Sequence, residues 1–366
     1  SRILSKNRKK TEMTVPISYF SSMKKIRFGK TGLMVSRVAF GGIPIMRLSK
    51  SEAARVVREV LDLDINFIDT ATGYNDSEEK IGEAIKDIPR ESLIIESKSP
   101  ANDKKTFNAH LDLSLKRLGV DYIDIYQLHN VNTPERHSAV FGQDGAFEGL
   151  TDAIKAGKVR FPGFSSHSIP MAVDIMKTGR FAAVQLPINF IDTVAEEEAV
   201  PLAKELDIGF IAMKPIGGGL LEKAGPAIRY LMRHDHLVPD PGIEKIEQMR
   251  EIVDIVDNPR PLSAEEWKEI EALRKELGAE WCHRCDYCQP CPQGIKISSV
   301  LIVKSFMKRM PLERAYQFLN DAVTHAADCT ECRDCMTRCP YGLEIPELLK
   351  KNRIIWEEAT AGLVRT

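Results

Sequence analysis

Short apolar runs alternate with amphipathic stretches from Met23 to Pro261. Most of these apolar runs are followed by Gly, Pro, Ser or Asn, which is typical of buried strands that end in turns. The stretches between them, such as SKSEAARVVREVLDLD and TFNAHLDLSLKRLG, have the spacing of amphipathic helices. The eight predicted strands are RVAFGG, INFIDTA, LIIESKS, YIDIYQLHN, VRFPGFSS, FAAVQLPIN, IGFIAMKPI and HLVPDPGI.

This alternation of strands and helices predicts a parallel β/α architecture. Eight repeats over roughly 240 residues match the size of a (β/α)8 TIM barrel. A doubly wound sheet is the alternative, but no Gly-x-Gly-x-x-Gly follows any of the strands. The segment KIRFGKTGLMVS is preceded by Lys24, where a phosphate-binding loop would require Gly, and we interpret the segment as a small hairpin before the first strand.

Composition and charge exclude several classes of function. Hydrophobic residues make up 43% of the 366 residues, and the net charge of −1 gives no field that favours nucleic acid or an anionic membrane. No apolar run approaches the roughly 20 residues of a membrane span, and the basic N-terminus lacks the apolar run of a signal peptide. We expect a cytoplasmic protein without a nucleic-acid or membrane partner. In the reducing environment of the cytoplasm, its cysteines are not expected to form disulfides.

All eight cysteines lie in two short runs near the C-terminus. The run WCHRCDYCQPCPQGI contains C-x2-C-x2-C-x2-C-P, and CTECRDCMTRCP contains C-x2-C-x2-C-x3-C-P, the pattern of bacterial ferredoxins. Zinc is the alternative, but zinc sites usually combine two C-x2-C pairs across a longer loop. The runs therefore predict a ferredoxin-type domain with two [4Fe–4S] clusters, structural or electron-relaying.

In ferredoxins of this type, three closely spaced cysteines bind one cluster and the fourth binds the other. The first cluster is thus assigned Cys282, Cys285, Cys288 and Cys339, and the second Cys329, Cys332, Cys335 and Cys291. Because the first run is one residue short, the question of which cysteine completes which cluster stays open. His283 is expected to face solvent, and Trp281 to shield a cluster, to pack between the domains or to line the substrate pocket.

The chain is predicted to divide into three segments. Residues 1–22 are interpreted as a flexible tail, residues 23–280 as the barrel, and residues 281–366 as a small α-helical, ferredoxin-like iron–sulfur domain. Ser263 and Glu266 form a capping box for the helix that ends the barrel segment.

Four ionisable residues follow or end predicted strands, where the chemistry of a TIM barrel takes place. They are Asp69, Tyr74, Lys98 and His129. A tyrosine with a pKa of about 10 is a weak acid near neutrality, and a nearby lysine lowers that pKa. An aspartate would hold the lysine, and a histidine can donate to a carbonyl oxygen. This set suits proton delivery to a carbonyl oxygen while hydride reaches the carbon.

The segment FIDTATGYNDSEEKIGEAI, followed by Lys98 and His129, resembles the aldo-keto reductase family, and the resemblance extends from Lys24 to Leu277. With the cysteine region included, the chain resembles aldo-keto reductases fused to a two-cluster ferredoxin-type module. The resemblance implies a catalytic tetrad of Asp69, Tyr74, Lys98 and His129, in which Tyr74 is the general acid.

The resemblance also implies a nicotinamide nucleotide, NADP or NAD, across the barrel mouth. The residues that it places on the carboxamide, the nicotinamide ring and the pyrophosphate are Ser165, Ser166, Gln185, Met213, Lys214, Pro215, Ile216, Gly217, Gly219 and Leu220. At the adenosine end it points to Lys245 and Glu247. Glu244 would repel a 2′-phosphate and Lys245 would attract it, so the sequence favours neither nucleotide.

The leading hypothesis is therefore an oxidoreductase that reduces an aldehyde or ketone, or oxidises the alcohol, with a nicotinamide nucleotide. An electron-transfer protein, whose barrel docks a redox protein partner, is the second hypothesis. A scaffold that has lost its active site is the third, and the intact tetrad argues against it.

Overall fold

The computed structural model describes residues 23–221 and 223–363, so the predicted tail at residues 1–22 lies outside the described residues. Its centre is a parallel sheet of eight strands that follow one another in chain order. The strands are β3 (Phe40–Gly41), β4 (Phe67–Asp69), β5 (Ile94–Ser99), β6 (Ile123–Leu128), β7 (Val159–Ser165), β8 (Ala183–Pro187), β9 (Gly209–Met213) and β10 (Leu237–Asp240). Each of the eight predicted strands is present.

The sheet closes on itself between its first and last strands. The amide of Ala39 donates to the carbonyl of Pro239 at 2.9 Å, and the amide of Gly41 donates to that of Pro241 at 3.0 Å. The predicted (β/α)8 barrel is therefore confirmed.

The predicted hairpin precedes the barrel and plugs one end of it. Its strands, β1 (Lys25–Arg27) and β2 (Met34–Ser36), are antiparallel. Phe28, which follows β1, is 1% exposed and packs edge-on against Phe67 of β4, with ring centroids 5.3 Å apart. An added Cβ on Gly209 would lie 2.4 Å from the Phe28 ring, so only glycine leaves room for it.

The helices of the barrel cover its outer face because one side of each is apolar. Buried residues of the helices and strands form one large core, and a second cluster, which includes Phe28, Phe67 and Ile125, is separate from it. The helices are α1 (Lys50–Leu61), α2 (Ser77–Ile85), α3 (Lys104–Leu118), α4 (Pro134–Phe141), α5 (Ala146–Lys155), α6 (Ile169–Lys177), α7 (Val194–Glu197), α8 (Ala199–Glu205), α9 (Ala224–Leu231), α10 (Ile246–Asp257) and α11 (Ala264–Gly278). The capping box of Ser263 and Glu266 is present at the start of α11.

The C-terminal domain is helical and has a small core of its own, in which Val300, Leu319 and Trp356 are buried. The predicted helical connector between the cysteine runs is divided at Ile302 and at Pro311. The helices of this domain are α12 (Ile297–Leu301), α13 (Val303–Arg309), α14 (Leu312–His325), α15 (Asp334–Arg338) and α16 (Ile345–Thr360).

This domain packs on the loop that follows β9. A Cβ added to Gly218 would lie 2.6 Å from the Ser305 hydroxyl, and Lys308 donates to the carbonyl of Gly219 at 3.1 Å. Trp281 is 9% exposed and its ring lies against Gly217. Close contact with glycines thus joins α13 and Trp281 to the barrel.

The expectation that His283 faces solvent is wrong. Its side chain is 10% exposed, its Nδ1 lies 2.8 Å from the Asp192 carboxylate, and its ring stacks on Tyr341 with centroids 3.6 Å apart. The reason is the docking of the C-terminal domain, which carries this part of the first cysteine run onto the barrel.

Within residues 23–221 and 223–363, every helix is too short or too polar to cross a bilayer.

Candidate active site

The four predicted catalytic residues meet at the carboxyl end of the barrel strands. Asp69 ends β4, Lys98 lies near the end of β5, His129 follows β6, and Tyr74 lies in the loop after β4. Lys98 forms an ion pair with Asp69, and the exposed fractions of these side chains are 1% and 4%. The lysine also donates to the carbonyl of Thr70 at 2.7 Å. The charged groups of Asp69 and Lys98 are therefore held in fixed positions.

Tyr74 is adjacent to both Lys98 and His129. The Nζ atom of Lys98 lies 5.1 Å from the centroid of the Tyr74 ring. The rings of Tyr74 and His129 meet edge to face, with centroids 6.0 Å apart. Strand order explains this meeting, since β4, β5 and β6 are neighbours in the sheet.

Burial and charge set the protonation of these groups. Burial raises the pKa of Tyr74 above its usual value, and the positive charge of Lys98 only partly offsets this effect. We expected Lys98 to lower the pKa of Tyr74. Lys98 does act in that direction, but burial has the larger effect, so the pKa is raised overall. Burial is the main reason that the pKa of His129 lies well below its ordinary value, and the charge of Lys98 is the second. This imidazole is therefore neutral at neutral pH. Burial opposes the charge on Lys98, but Asp69 and its neighbours raise the pKa of Lys98 overall.

Two further carboxyls, Glu96 and Asp240, surround the same lysine and were not predicted. The Nζ atom of Lys98 lies 3.9 Å from Glu96, and the Gln185 amide donates to Asp240 at 3.1 Å. Burial, reinforced by the charge of Asp69, raises the pKa of both carboxyls well above the ordinary range. These surroundings therefore favour the protonated form of both carboxyls. The spacing of Glu96 and Lys98, two apart on one strand, was the signal that both point into the barrel.

A cavity of about 490 Å³ opens above these residues. Tyr74, His129 and His167 line it on the barrel side. The C-terminal domain lines the cavity as well. The sequence did not reveal this contact, because those residues are distant in sequence from the strands that they face. The cavity-lining residues of that domain are Arg284, Phe306, Lys308, Arg309, Met310, Arg314 and Phe318.

The two cysteine runs adopt the same backbone conformation. In each run the residue before the second cysteine and the residue after it are left-handed, with φ of 61° at Arg284 and 60° at Asp286, and 56° at Glu331 and 64° at Arg333. Left-handed residues are uncommon outside glycine and asparagine. Their recurrence at matching positions indicates that both runs wrap similar objects.

The last cysteine of each run lies beside the other run. Cys339 acts electrostatically on Cys285, and Cys291 acts on Cys335. A small cavity of about 20 Å³ is lined by Cys291 together with Cys329, Cys332 and Cys335. Which cysteine completes which cluster stays a prediction.

All eight cysteines are free. In the described part of the chain no three or more His, Cys, Asp or Glu side chains converge closely enough to hold a single metal ion. An iron–sulfur cube spreads its four thiolates farther apart than a single ion does, because each thiolate binds a different iron. The donor set and its crossed placement therefore fit two cubane clusters.

Comparison with known proteins identifies both parts of the chain. Residues 37–226, just over half of the chain, match the Aldo/keto reductase family. This chain belongs to the aldo/keto reductase family. Residues 281–344 match the 4Fe-4S dicluster domain. The protein is thus an oxidoreductase of the aldo/keto reductase family that carries a 4Fe-4S dicluster domain at its C-terminal side.

Relatives of this aldo/keto reductase include enzymes and solved structures. NADH-specific methylglyoxal reductase of Escherichia coli (strain K12) is 27% identical over 275 residues, which cover 66% of this chain and 81% of that protein. An aldo-keto reductase of Bacillus halodurans in its holo form is 26% identical with a TM-score of 0.60, covering 69% of this chain and 96% of that one. An aldo/keto reductase of Klebsiella pneumoniae, in complex with NADP and acetate, is 21% identical with a TM-score of 0.57, covers 69% and 95%, and shows likeness of fold alone.

The nucleotide residues that the family resemblance implies fall into three groups in this aldo/keto reductase. The residues that line the main cavity are Ser165, Gln185, Met213, Lys214, Pro215, Ile216 and Gly219. Gly217 and Leu220 line an adjoining cavity of about 100 Å³ beside Trp281.

Ser166, Lys245 and Glu247 do not line the main cavity. The Ser166 hydroxyl is buried and donates to the carbonyl of Val131 at 2.8 Å, since successive residues at the end of a strand point in opposite directions. Lys245 and Glu247 are exposed at the start of α10. The positions that reach the cavity in this region are Glu244 and Gln248, and Glu244 is ion-paired with Arg47 across the cavity.

Proposed function

We propose that this protein reduces an aldehyde or ketone to the alcohol, or catalyses the reverse oxidation, with a nicotinamide nucleotide as the hydride carrier. The observation that supports it is the buried Lys98–Asp69 ion pair beneath Tyr74, with His129 against the tyrosine ring. The Escherichia coli relative, a methylglyoxal reductase, acts on a carbonyl compound.

The four residues of the proposed active site have different roles in proton transfer. Tyr74 donates its hydroxyl proton to the carbonyl oxygen while a hydride reaches the carbonyl carbon, so that the two transfers together give the alcohol. Lys98 then stabilises the tyrosinate, and solvent returns the proton. His129, neutral because of its lowered pKa, can donate one N–H to the same oxygen and polarise the carbonyl. Asp69 fixes the lysine.

The bound nicotinamide would supply the hydride. The residues that we propose to hold it are those that reach the cavity, above all Ser165, Gln185 and Met213, with Lys214 and Gly219 toward the phosphates. The thioether of Met213 can pack against the ring. Gly218 and Gly219 line the cavity, and the positive φ of the glycines at 217–219 allows their backbone to approach a phosphate closely.

Electron transfer is the second candidate, and one contact favours it. Arg284, which lies between Cys282 and Cys285, reaches His167 at 3.3 Å in the cavity. The first cysteine run therefore abuts the proposed active site directly. A cluster there would accept or donate one electron at a time, and a redox protein partner would supply or receive it.

The variant Tyr74→Phe tests the leading proposal. Removing the hydroxyl should lower kcat for aldehyde reduction by about 100- to 10,000-fold, the usual contribution of a general acid. The dissociation constant of NADPH or NADH, measured by fluorescence titration, should not change. Tyr122→Phe, at a tyrosine that precedes β6 and so lies at the opposite end of that strand from His129, is the matched control. Unchanged turnover in Tyr74→Phe would contradict the assigned role.

A further inference from the structure

Four cations that line the main cavity, Lys214, Arg284, Arg309 and Arg314, have no carboxylate partner among the described residues. Arg314 donates to Gln317 and lies over the Phe318 ring, whereas the charges of Arg284 and Arg309 act on Lys214. Arg284 lies 3.3 Å from the Nε2 atom of His167, and Arg309 donates to the backbone carbonyl of Ser305 at 3.3 Å. Within residues 23–221 and 223–363, no acidic side chain lies within ion-pair distance of any of the four. Arg47, which lines the same cavity, forms an ion pair with Glu244.

Unpaired charges held together inside a protein are costly. Burial lowers the pKa of Lys214 well below its ordinary value, and the charges of Arg284 and Arg309 lower it further. Arginine stays charged under such conditions and binds carboxylates through two parallel hydrogen bonds. An anion between the arginines would relieve this repulsion, so the cavity is built to accept one.

The position of the arginines indicates which anion this is. The charge of Arg284 acts on His129 and His167, and the charge of Arg309 acts on Tyr74 and His167. Both arginines therefore lie on the side of the cavity where the carbonyl oxygen would meet Tyr74 and His129. The Nδ1 atom of His167 is buried there without a hydrogen-bond partner. Arg309 also lies against the loop assigned to the nucleotide phosphates, since a Cβ added to Gly218 would lie 3.2 Å from its Cδ atom, whereas Arg284 reaches His167.

We propose that Arg284 and Arg309, both supplied by the cluster-binding domain, bind a carboxylate of the substrate, so that the enzyme acts on carbonyl compounds that carry an acid group. This proposal rests on the proposed reductase function and specifies its substrate class. It also gives the C-terminal domain a role in catalysis through substrate binding, since both arginines belong to that domain. A keto acid or an aldehyde acid would place its carbonyl at Tyr74 and its carboxylate at the arginines.

A pair of matched aldehydes tests this substrate class. Anaerobically purified protein with its clusters is assayed with 4-carboxybenzaldehyde and with the methyl ester of the same aldehyde. In Arg284→Gln, and separately in Arg309→Gln on α13, kcat/KM for the acid should fall about 10- to 100-fold, the range for a lost hydrogen bond to a charged group. The value for the ester should change by less than about threefold. Arg353→Gln on α16, whose side chain pairs with Glu357, should match the wild type.

A binding measurement separates this proposal from the reductase proposal. Terephthalate, a diacid that cannot be reduced at a carbonyl, is titrated calorimetrically into the same variants. Its dissociation constant should rise in both cavity variants and stay constant in Arg353→Gln. That result would support the carboxylate site even if no aldehyde were turned over, an outcome that would contradict only the reductase.

Three outcomes would overturn the carboxylate site. Equal losses of kcat/KM for the acid and the ester would mean that the arginines have only a structural role. A weaker affinity for NADPH with terephthalate binding unchanged would assign them to the nucleotide phosphates. A shift in the midpoint potential of the clusters with terephthalate binding unchanged would assign Arg284 to the first cluster, whose proposed ligand Cys282 is a near neighbour in sequence.

Discussion

The Nζ atom of Lys98 lies 5.1 Å from the centroid of the Tyr74 ring, while the same atom is ion-paired with the buried Asp69. Lys98 thus interacts both with the carboxylate of Asp69 and with Tyr74, the proposed proton donor. Burial raises the pKa of Tyr74, and Lys98 opposes that rise. The tyrosine is therefore fully protonated near neutral pH, and the lysine stabilises the anion that forms during the reaction.

Replacing Lys98 by Met should harm both activity and stability. Removing one partner of a buried ion pair leaves Asp69 unpaired, which costs about 3–5 kcal/mol of unfolding free energy. The rate of aldehyde reduction should fall by at least about 100-fold because the tyrosinate is no longer stabilised. Thermal denaturation and steady-state kinetics measure the two effects.

The double variant Lys98→Met/Asp69→Asn distinguishes the two effects. Because it removes both charges, it should regain most of the lost stability while its activity stays low. Recovery of activity together with stability would show that Lys98 acts only as a structural partner of Asp69.

The carboxyl of Asp240 should make stability depend on pH. Burial raises its pKa in the folded protein well above the value of about 4 in the unfolded chain. The folded state then binds more protons than the unfolded state between these values. The contribution is full below about pH 4 and is lost as the pH rises through the folded-state pKa.

Asp240→Asn should therefore flatten the decline of the melting temperature toward alkaline pH, relative to the wild type. Melting is followed at a series of pH values from about 5 to 9, with Asp121→Asn at an exposed position as the control. Glu96 contributes in the same direction, so some dependence should remain. A variant whose pH profile parallels that of the wild type would show that Asp240 is ionised in the folded state.

Pairs of cysteine variants should reveal which ligands share a cluster. If Cys291 completes the second cluster, Cys291→Ser/Cys329→Ser should lose about four irons and keep the EPR signal of one reduced cluster. Cys291→Ser/Cys282→Ser should lose both clusters, since it removes a ligand from each. Iron analysis and EPR after dithionite reduction provide the readout. The opposite pattern would assign Cys291 to the first cluster.

Local patterns in the chain were sufficient to predict the strands, the hairpin before them and the capping box of Ser263 and Glu266. Each of these depends on residues close together in sequence. The positions of Asp69, Lys98 and His129 could also be predicted, because parallel strands of a barrel end at the same rim. The cysteine spacing predicted the dicluster domain for a similar reason, since three of the four ligands of each cluster lie within one short run.

The sequence by itself thus determined the barrel, the tetrad positions and the presence of two cysteine motifs. Only the tertiary structure decided how the C-terminal domain docks, and with it the burial of His283 against Asp192 and the placement of Arg284 and Arg309 in the cavity. Docking depends on surface complementarity between residues about a hundred positions apart, which no local periodicity records. Burial likewise decided the protonation of Glu96 and Asp240, because a pKa follows the surroundings of a side chain more than its identity.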